Sequence, residues 1–148
     1  EHADRYAAAV PSTARTAIDL GSGGGLPGLV IAVRCPELAV TLVERRAKRA
    51  DLLRYGVGAL GLGDRVTVLD VDVAVLVDDA EREAVDLVTA RSFAPLPQLL
   101  EVARQLLGPT GVCVVSTPPR ATVPPVLPGW SGELAASGVW RFHVEPSA

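Results

Sequence analysis

Three glycines at alternate positions, Gly21, Gly23 and Gly25, follow Asp19 at the end of a short apolar run. Glycine reaches positive φ freely and lets a ligand approach the backbone closely. Pro27 stands just beyond, a residue suited to the first turn of a helix. A helix that starts there turns its unpaired N–H groups toward whatever fills the loop. Glu44 comes 23 residues after Gly21. An acidic residue about 20 positions beyond such a turn can accept hydrogen bonds from ribose hydroxyls. The combination suits a nucleoside-containing ligand held by loop backbone and one carboxylate. A dinucleotide fingerprint would need glycine where the chain has Leu26.

These residues need a strand to deliver Asp19 and a second strand to deliver Glu44. Residues 16–20 read as a short buried strand, and Leu29, Ile31 and Val33 support a helix to about Arg34, stopped by Pro36. Val40 to Val43 form the second strand, which ends in Glu44. Residues 45–60 read as a helix from the spacing of Ala47, Leu52, Leu53, Val57 and Leu60. It carries the one local basic cluster, Arg45, Arg46, Lys48, Arg49 and Arg54, which by itself reads as a solvated helix face. Residues 65–69 form a third strand, and Asp72, Val73 and Ala74 follow where this kind of fold wraps an adenine ring. Residues 78–84 form a charged link.

Residues 84–89 form a fourth strand, leading into Arg91 and Ser92, and open α/β sheets bind ligands at the carboxyl ends of their strands. Residues 96–107 carry an amphipathic helical stripe, 108–111 a turn and 112–115 a fifth strand. Residues 118–129 are proline-rich and predict a loop, linker or lid. A helical turn is expected over 133–137 and a sixth strand over 139–144, with Trp140 and Phe142 on one face and a structural His143 on the other. Residues 1–15 read as a short helix or the remnant of a longer N-terminal region. The prediction is one α/β domain over 1–148, three layers around a mostly parallel sheet of about six strands.

Length and composition agree with one folded domain: 148 residues, 49% hydrophobic and 21% charged. No apolar run reaches the roughly 20 residues of a membrane span, and no signal peptide is visible, which predicts a cytoplasmic protein without a membrane partner. Cys35 and Cys113 make neither a disulfide framework nor a metal site. Net charge is −3 with a single lysine, Lys48, and this balance counts against nucleic acid as the sole partner.

Asp19 followed by G-x-G-x-G resembles the loop of class I S-adenosylmethionine methyltransferases. The full stretch 19–28, with its Leu-Pro-Gly ending, the basic helix from Arg45 and the segment Ala90-Arg91-Ser92-Phe93-Ala94-Pro95 are similar to the RsmG family, also called GidB. That resemblance covers about residues 15–116. It implies a Rossmann-like fold, S-adenosylmethionine as cofactor and methylation of a guanine N7 in 16S ribosomal RNA of the small subunit. It puts cofactor contacts on Gly21, Leu26, the Val73-Ala74 backbone and Arg91, with Arg91 also on the substrate side of the cleft; the reading of the loop and strand ends adds Asp19, Ser22, Gly23, Gly25, Glu44 and Asp72 as cofactor-binding candidates.

Three departures from the family pattern stand out. Val71-Asp72-Val73-Ala74 replaces Gly-Arg-Ala-Glu, Thr117-Pro118 replaces Lys-Gly, and much of the N-terminal helical region and the last strand of the sheet have no evident counterpart. Two further readings follow from them: a small-molecule methyltransferase that diverged from the RNA family, and a cofactor-binding regulatory module without activity.

Overall fold

Apolar side chains alternate along the central strands so that both faces of the sheet are buried, which demands helices on both sides. The computed structural model describes residues 2–116 and 127–146. Its elements are α1 (His2–Ala8), β1 (Thr16–Leu20), α2 (Gly28–Arg34), β2 (Ala39–Val43), α3 (Ala47–Ala59), β3 (Val66–Leu69) and α4 (Val73–Asp78). They continue with β4 (Val85–Ala90), α5 (Leu96–Leu106), β5 (Leu107–Ser116), β6 (Trp130–Ala136) and β7 (Val139–Val144). The strands form one seven-stranded sheet in the order β3-β2-β1-β4-β5-β7-β6. The first five are parallel, while β7 runs antiparallel to both β5 and β6.

The two faces divide the core. Ala17, Val40, Leu42, Leu87, Val112 and Val114 pack under α1, α2 and α3. The alternate residues Ile18, Val43, Val88, Cys113 and Val115 pack under α5, with Trp140 and Phe142 completing that layer. The result is the three-layer Rossmann-like α/β architecture that the sequence predicts.

Three local expectations are corrected. Residues 133–137 lie in or beside β6 rather than in a helical turn, so the sheet has seven strands instead of about six. Their Glu, Leu and Ala suit a helix, but the ladder that pairs Gly132 with Phe142 and Leu134 with Trp140 decides otherwise. The turn expected at 108–111 falls within the span of β5. There the pairing jumps from Val85↔Leu107 to Leu87↔Val112, and residues 108–111 stand opposite Asp86 alone. Finally, Asp72 caps a helix where the sequence predicts a loop: its Oδ1 accepts from the Ala74 N–H at 3.0 Å and starts α4.

Helix α1 is part of the core. Tyr6 is fully buried, and its hydroxyl donates to the Ala90 carbonyl at the end of β4 (2.8 Å). Thr117 and most of the proline-rich stretch (up to residue 126) fall outside the described residues.

Candidate functional site

The strand order turns around at β1, and side chains from four strand ends meet above that point. Asp19 lies in register with Thr89 on the neighbouring strand, both facing the α1–α3 layer. The Thr89 hydroxyl donates to Asp19 Oδ1 at 2.7 Å. Asp19 Oδ2 is buried with no hydrogen-bond partner among the described residues. Burial pushes the Asp19 carboxyl up to about 6. The Thr89 and Ser22 hydroxyls pull it back, and so does the Gly28 N–H, from a geometry short of a hydrogen bond. Gly28 cannot be larger: a Cβ there would overlap Leu42 and Asp19.

Gly21 has φ +65° and Gly25 φ +90°, both in the left-handed region that favours glycine. The loop is tied at two further points. The Ser22 N–H donates to the Val43 carbonyl at 3.0 Å. The Gly23 N–H donates to Glu44 Oε2, also at 3.0 Å. Glu44 Oε1 accepts the Arg46 N–H at 3.1 Å, so one buried carboxylate joins the glycine loop to the start of α3. Each Glu44 oxygen retains a lone pair for a ligand.

Beside this carboxylate is a cleft of about 430 Å³. Gly21 and Glu44 form one wall, Asp72 and Val73 another, and Ser92 and Phe93 a third. Ser92 is held at φ +52°, a conformation uncommon outside glycine. Phe93 packs over Gly21, where a Cβ would stand 3.1 Å from its ring.

The sequence-derived residues divide into three groups. Gly21, Glu44, Asp72 and Val73 line the cleft. Asp19, Ser22 and Gly25 are buried in the supporting loop and strand, and Gly23 lines a neighbouring groove. Leu26, Ala74 and Arg91 are not among the lining residues. Arg91 is exposed, and it is near enough to Asp19 and Tyr6 to act on their titration through its charge. Arg46, Arg49 and Gln98 also line the cleft, although sequence spacing did not single them out for it. The signal was present for Gln98, which falls off the buried stripe of α5 (Leu99, Leu100, Ala103 and Leu106).

His143 is remote from the cleft, on the β6–β7 ribbon, where Glu133 lies 3.2 Å from its Nε2. Among the described residues no group of acidic, histidine or cysteine side chains could hold a metal, and no helix is long and apolar enough to cross a membrane.

A family model described as GidB, rRNA small subunit methyltransferase G, matches residues 6–117. This chain belongs to that family. The match runs from Tyr6 to just past β5 and contains the whole glycine-loop cleft.

Two curated relatives, both named ribosomal RNA small subunit methyltransferase G, illustrate the likeness. The one from Rhizorhabdus wittichii is 49% identical over 88 residues, which are 60% of this chain and 39% of that protein. The one from Acidiphilium cryptum is 46% identical over 105 residues, 71% of this chain and 46% of that protein. The chain thus spans less than half the length of either relative. Among solved structures, an S-adenosylmethionine-dependent methyltransferase from Thiobacillus denitrificans, crystallised with S-adenosyl-L-homocysteine, superposes with a TM-score of 0.65. It shares 22% identity, with 78% of this chain and 46% of that one covered. Coclaurine N-methyltransferase superposes at 0.64 with 19% identity, over 78% of this chain and 34% of that one. These likenesses show the fold.

Proposed function

We propose that this chain transfers a methyl group from S-adenosylmethionine to N7 of a guanine in small-subunit ribosomal RNA. The observation that carries this reading is the buried Glu44 carboxylate, tied to the glycine loop at Gly23 and facing the cleft. It combines an acceptor for ribose hydroxyls with a loop shaped for close backbone approach. The residues fit the cofactor. Gly21 and its neighbours leave room for the amino-acid end, Glu44 takes the ribose, and the Val73 backbone with Asp72 borders the adenine. The cofactor, when bound, supplies a methyl group already activated by its sulfonium.

The protein's task is then alignment, which can supply much of the rate. Phe93 and Ser92 close the cleft over the loop, and Arg91 stands on the substrate side. Guanine N7 carries no proton, so this chemistry needs no general base. Neither histidine of the described residues lines the cleft, in keeping with that requirement.

The test is transfer of labelled methyl groups into intact small ribosomal subunits, naked ribosomal RNA and a small-molecule extract, run in parallel. Label at one guanine N7 in RNA or subunits is the expected result. Label in the small-molecule fraction alone would replace the substrate assignment. Cofactor binding without transfer to any of the three would make the chain a non-catalytic binding module.

A further inference from the structure

Helix α3 begins against the usual electrostatic rule. The N-terminal end of a helix carries partial positive charge and favours acidic side chains. Here the first turn has none; instead Arg45 and Arg46 precede the helix, and Lys48 and Arg49 open it. All four are exposed, and among the described residues none has an ion pair or a side-chain hydrogen bond. Arg54, one turn further on, shows what compensation looks like: it bonds Asp51 at 3.0 Å and Asp70 at 3.2 Å. The uncompensated charges are also not spread at random. Arg45, Arg46 and Arg49 border the cleft beside Glu44.

The outward side of the same helix adds a second feature. Ala50, Leu53 and Val57 are its buried stripe. Lys48, Leu52 and Tyr55, at helical spacing, lie on the opposite side, with Leu52 71% and Tyr55 78% exposed. Lys48 and Tyr55 are about 10 Å apart along the axis. A cation followed by an exposed aromatic ring suits a strand with a phosphate at one place and an unstacked base at the next. Gly56 leaves the flank of the helix open beside Gly23, Gly24 and Leu29, extending the surface as a groove toward the loop.

We propose that this face of α3, from Arg45 to Tyr55, is where single-stranded RNA lies as it enters the cleft, with Lys48 and Arg49 on phosphates and Tyr55 stacked on a base. This rests on RNA being the methyl acceptor. It also explains how a chain of net charge −3 engages a polyanion: the attraction is local. The face is charged for a ligand at the expense of the helix itself.

The experiment is fluorescence anisotropy of the full chain with a labelled transcript of small-subunit ribosomal RNA, measured across a salt series. Three proteins are compared with wild type: K48Q/R49Q, Y55A and R15Q/R34Q. The last removes equal charge at the opposite end of the strands from the cleft, before β1 and at the end of α2. K48Q/R49Q should flatten the dependence of log affinity on log salt by about 1.5, equivalent to about 30-fold weaker binding at 0.1 M relative to 1 M salt. Y55A should weaken binding about 5- to 100-fold with the slope unchanged. R15Q/R34Q should stay within about twofold of wild type.

An unchanged slope in K48Q/R49Q, or an equal loss in R15Q/R34Q, would overturn the proposal. Thermal melting guards against misfolding: K48Q/R49Q should melt no lower than wild type, because it relieves charge at the helix start. Methyl transfer into the same transcript separates the two levels of inference. Labelling by wild type together with an unchanged K48Q/R49Q slope would remove the surface and keep the activity. No binding of the transcript by wild type would remove the surface, and no labelling of either the transcript or intact small subunits would remove the activity as well.

Discussion

Replacing Asp19 with asparagine isolates the energetic cost of the carboxylate buried beneath the loop. Its ordinary value of 3.8 is pushed up to about 6 in the folded protein, chiefly by burial. Between these values the native state holds a proton that the unfolded chain has released. Stability therefore falls as pH rises through that window. The shift corresponds to about 3 kcal/mol, fully present as a penalty about one pH unit above the folded value and absent about one pH unit below the ordinary one. An asparagine side chain at this position would remain neutral throughout and still meet the Thr89 hydroxyl.

The assay is urea unfolding of the cofactor-free wild type and Asp19→Asn at a series of pH values from 4 to 8. The stability of wild type relative to the variant should fall by about 2 kcal/mol between pH 4 and pH 7. Taking the difference cancels every other titrating group. A difference that is flat with pH, or that grows as pH rises, would refute the assignment of a costly buried carboxylate.

Other changes probe the remaining contacts. Glu44→Ala should weaken S-adenosylmethionine binding by roughly 1.5–3 kcal/mol in calorimetry, since it removes charged hydrogen bonds and frees the Gly23 N–H. Arg91→Ala should lower methyl transfer or cofactor affinity with an unchanged melting temperature. The side chain is exposed, so a large loss of stability would make it structural instead. Tyr6→Phe should cost about 1–3 kcal/mol of stability in denaturant unfolding, because the Ala90 carbonyl loses its buried donor. Full stability in that variant would show that the hydroxyl is dispensable.

Much of the site was legible because it depends on local chemistry. Alternating glycines, an acid before them and an acid one strand later can be read without knowing the fold, and Gly21 and Glu44 do meet at one cleft. What escaped the sequence was set by partners distant along the chain. Residues 133–136 carry helix-forming letters, yet β7 recruits them as a strand. Residues 1–15 read only as a short helix or a remnant, and the fold alone brings the Tyr6 hydroxyl to a carbonyl 84 residues away. The arginines of 45–49 were visible as a cluster, but whether they face solvent or a cleft depends on how α3 docks. Ser92 and Phe93, beside Arg91, line the cleft because the loop after β4 turns at Ser92, a conformation that the letters alone do not announce.

The position of β1 in the strand order has a consequence for how the protein is made. The sheet consists of a first half, β1 to β3, and a second half, β4 to β7, joined side by side where β1 meets β4. The bonds across that seam, Thr89 to Asp19 and Asp86 to Thr16, link residues about 70 positions apart. During synthesis the glycine loop and Glu44 emerge long before Thr89 and Ser92, so the cleft stays open on one side until the second half is complete. Such distant pairing is slow to form. A chain cut in the exposed 79–84 link would leave each half with an uncovered central strand whose natural partner is the other piece. Regaining ligand binding on mixing the two would then report that the seam had closed.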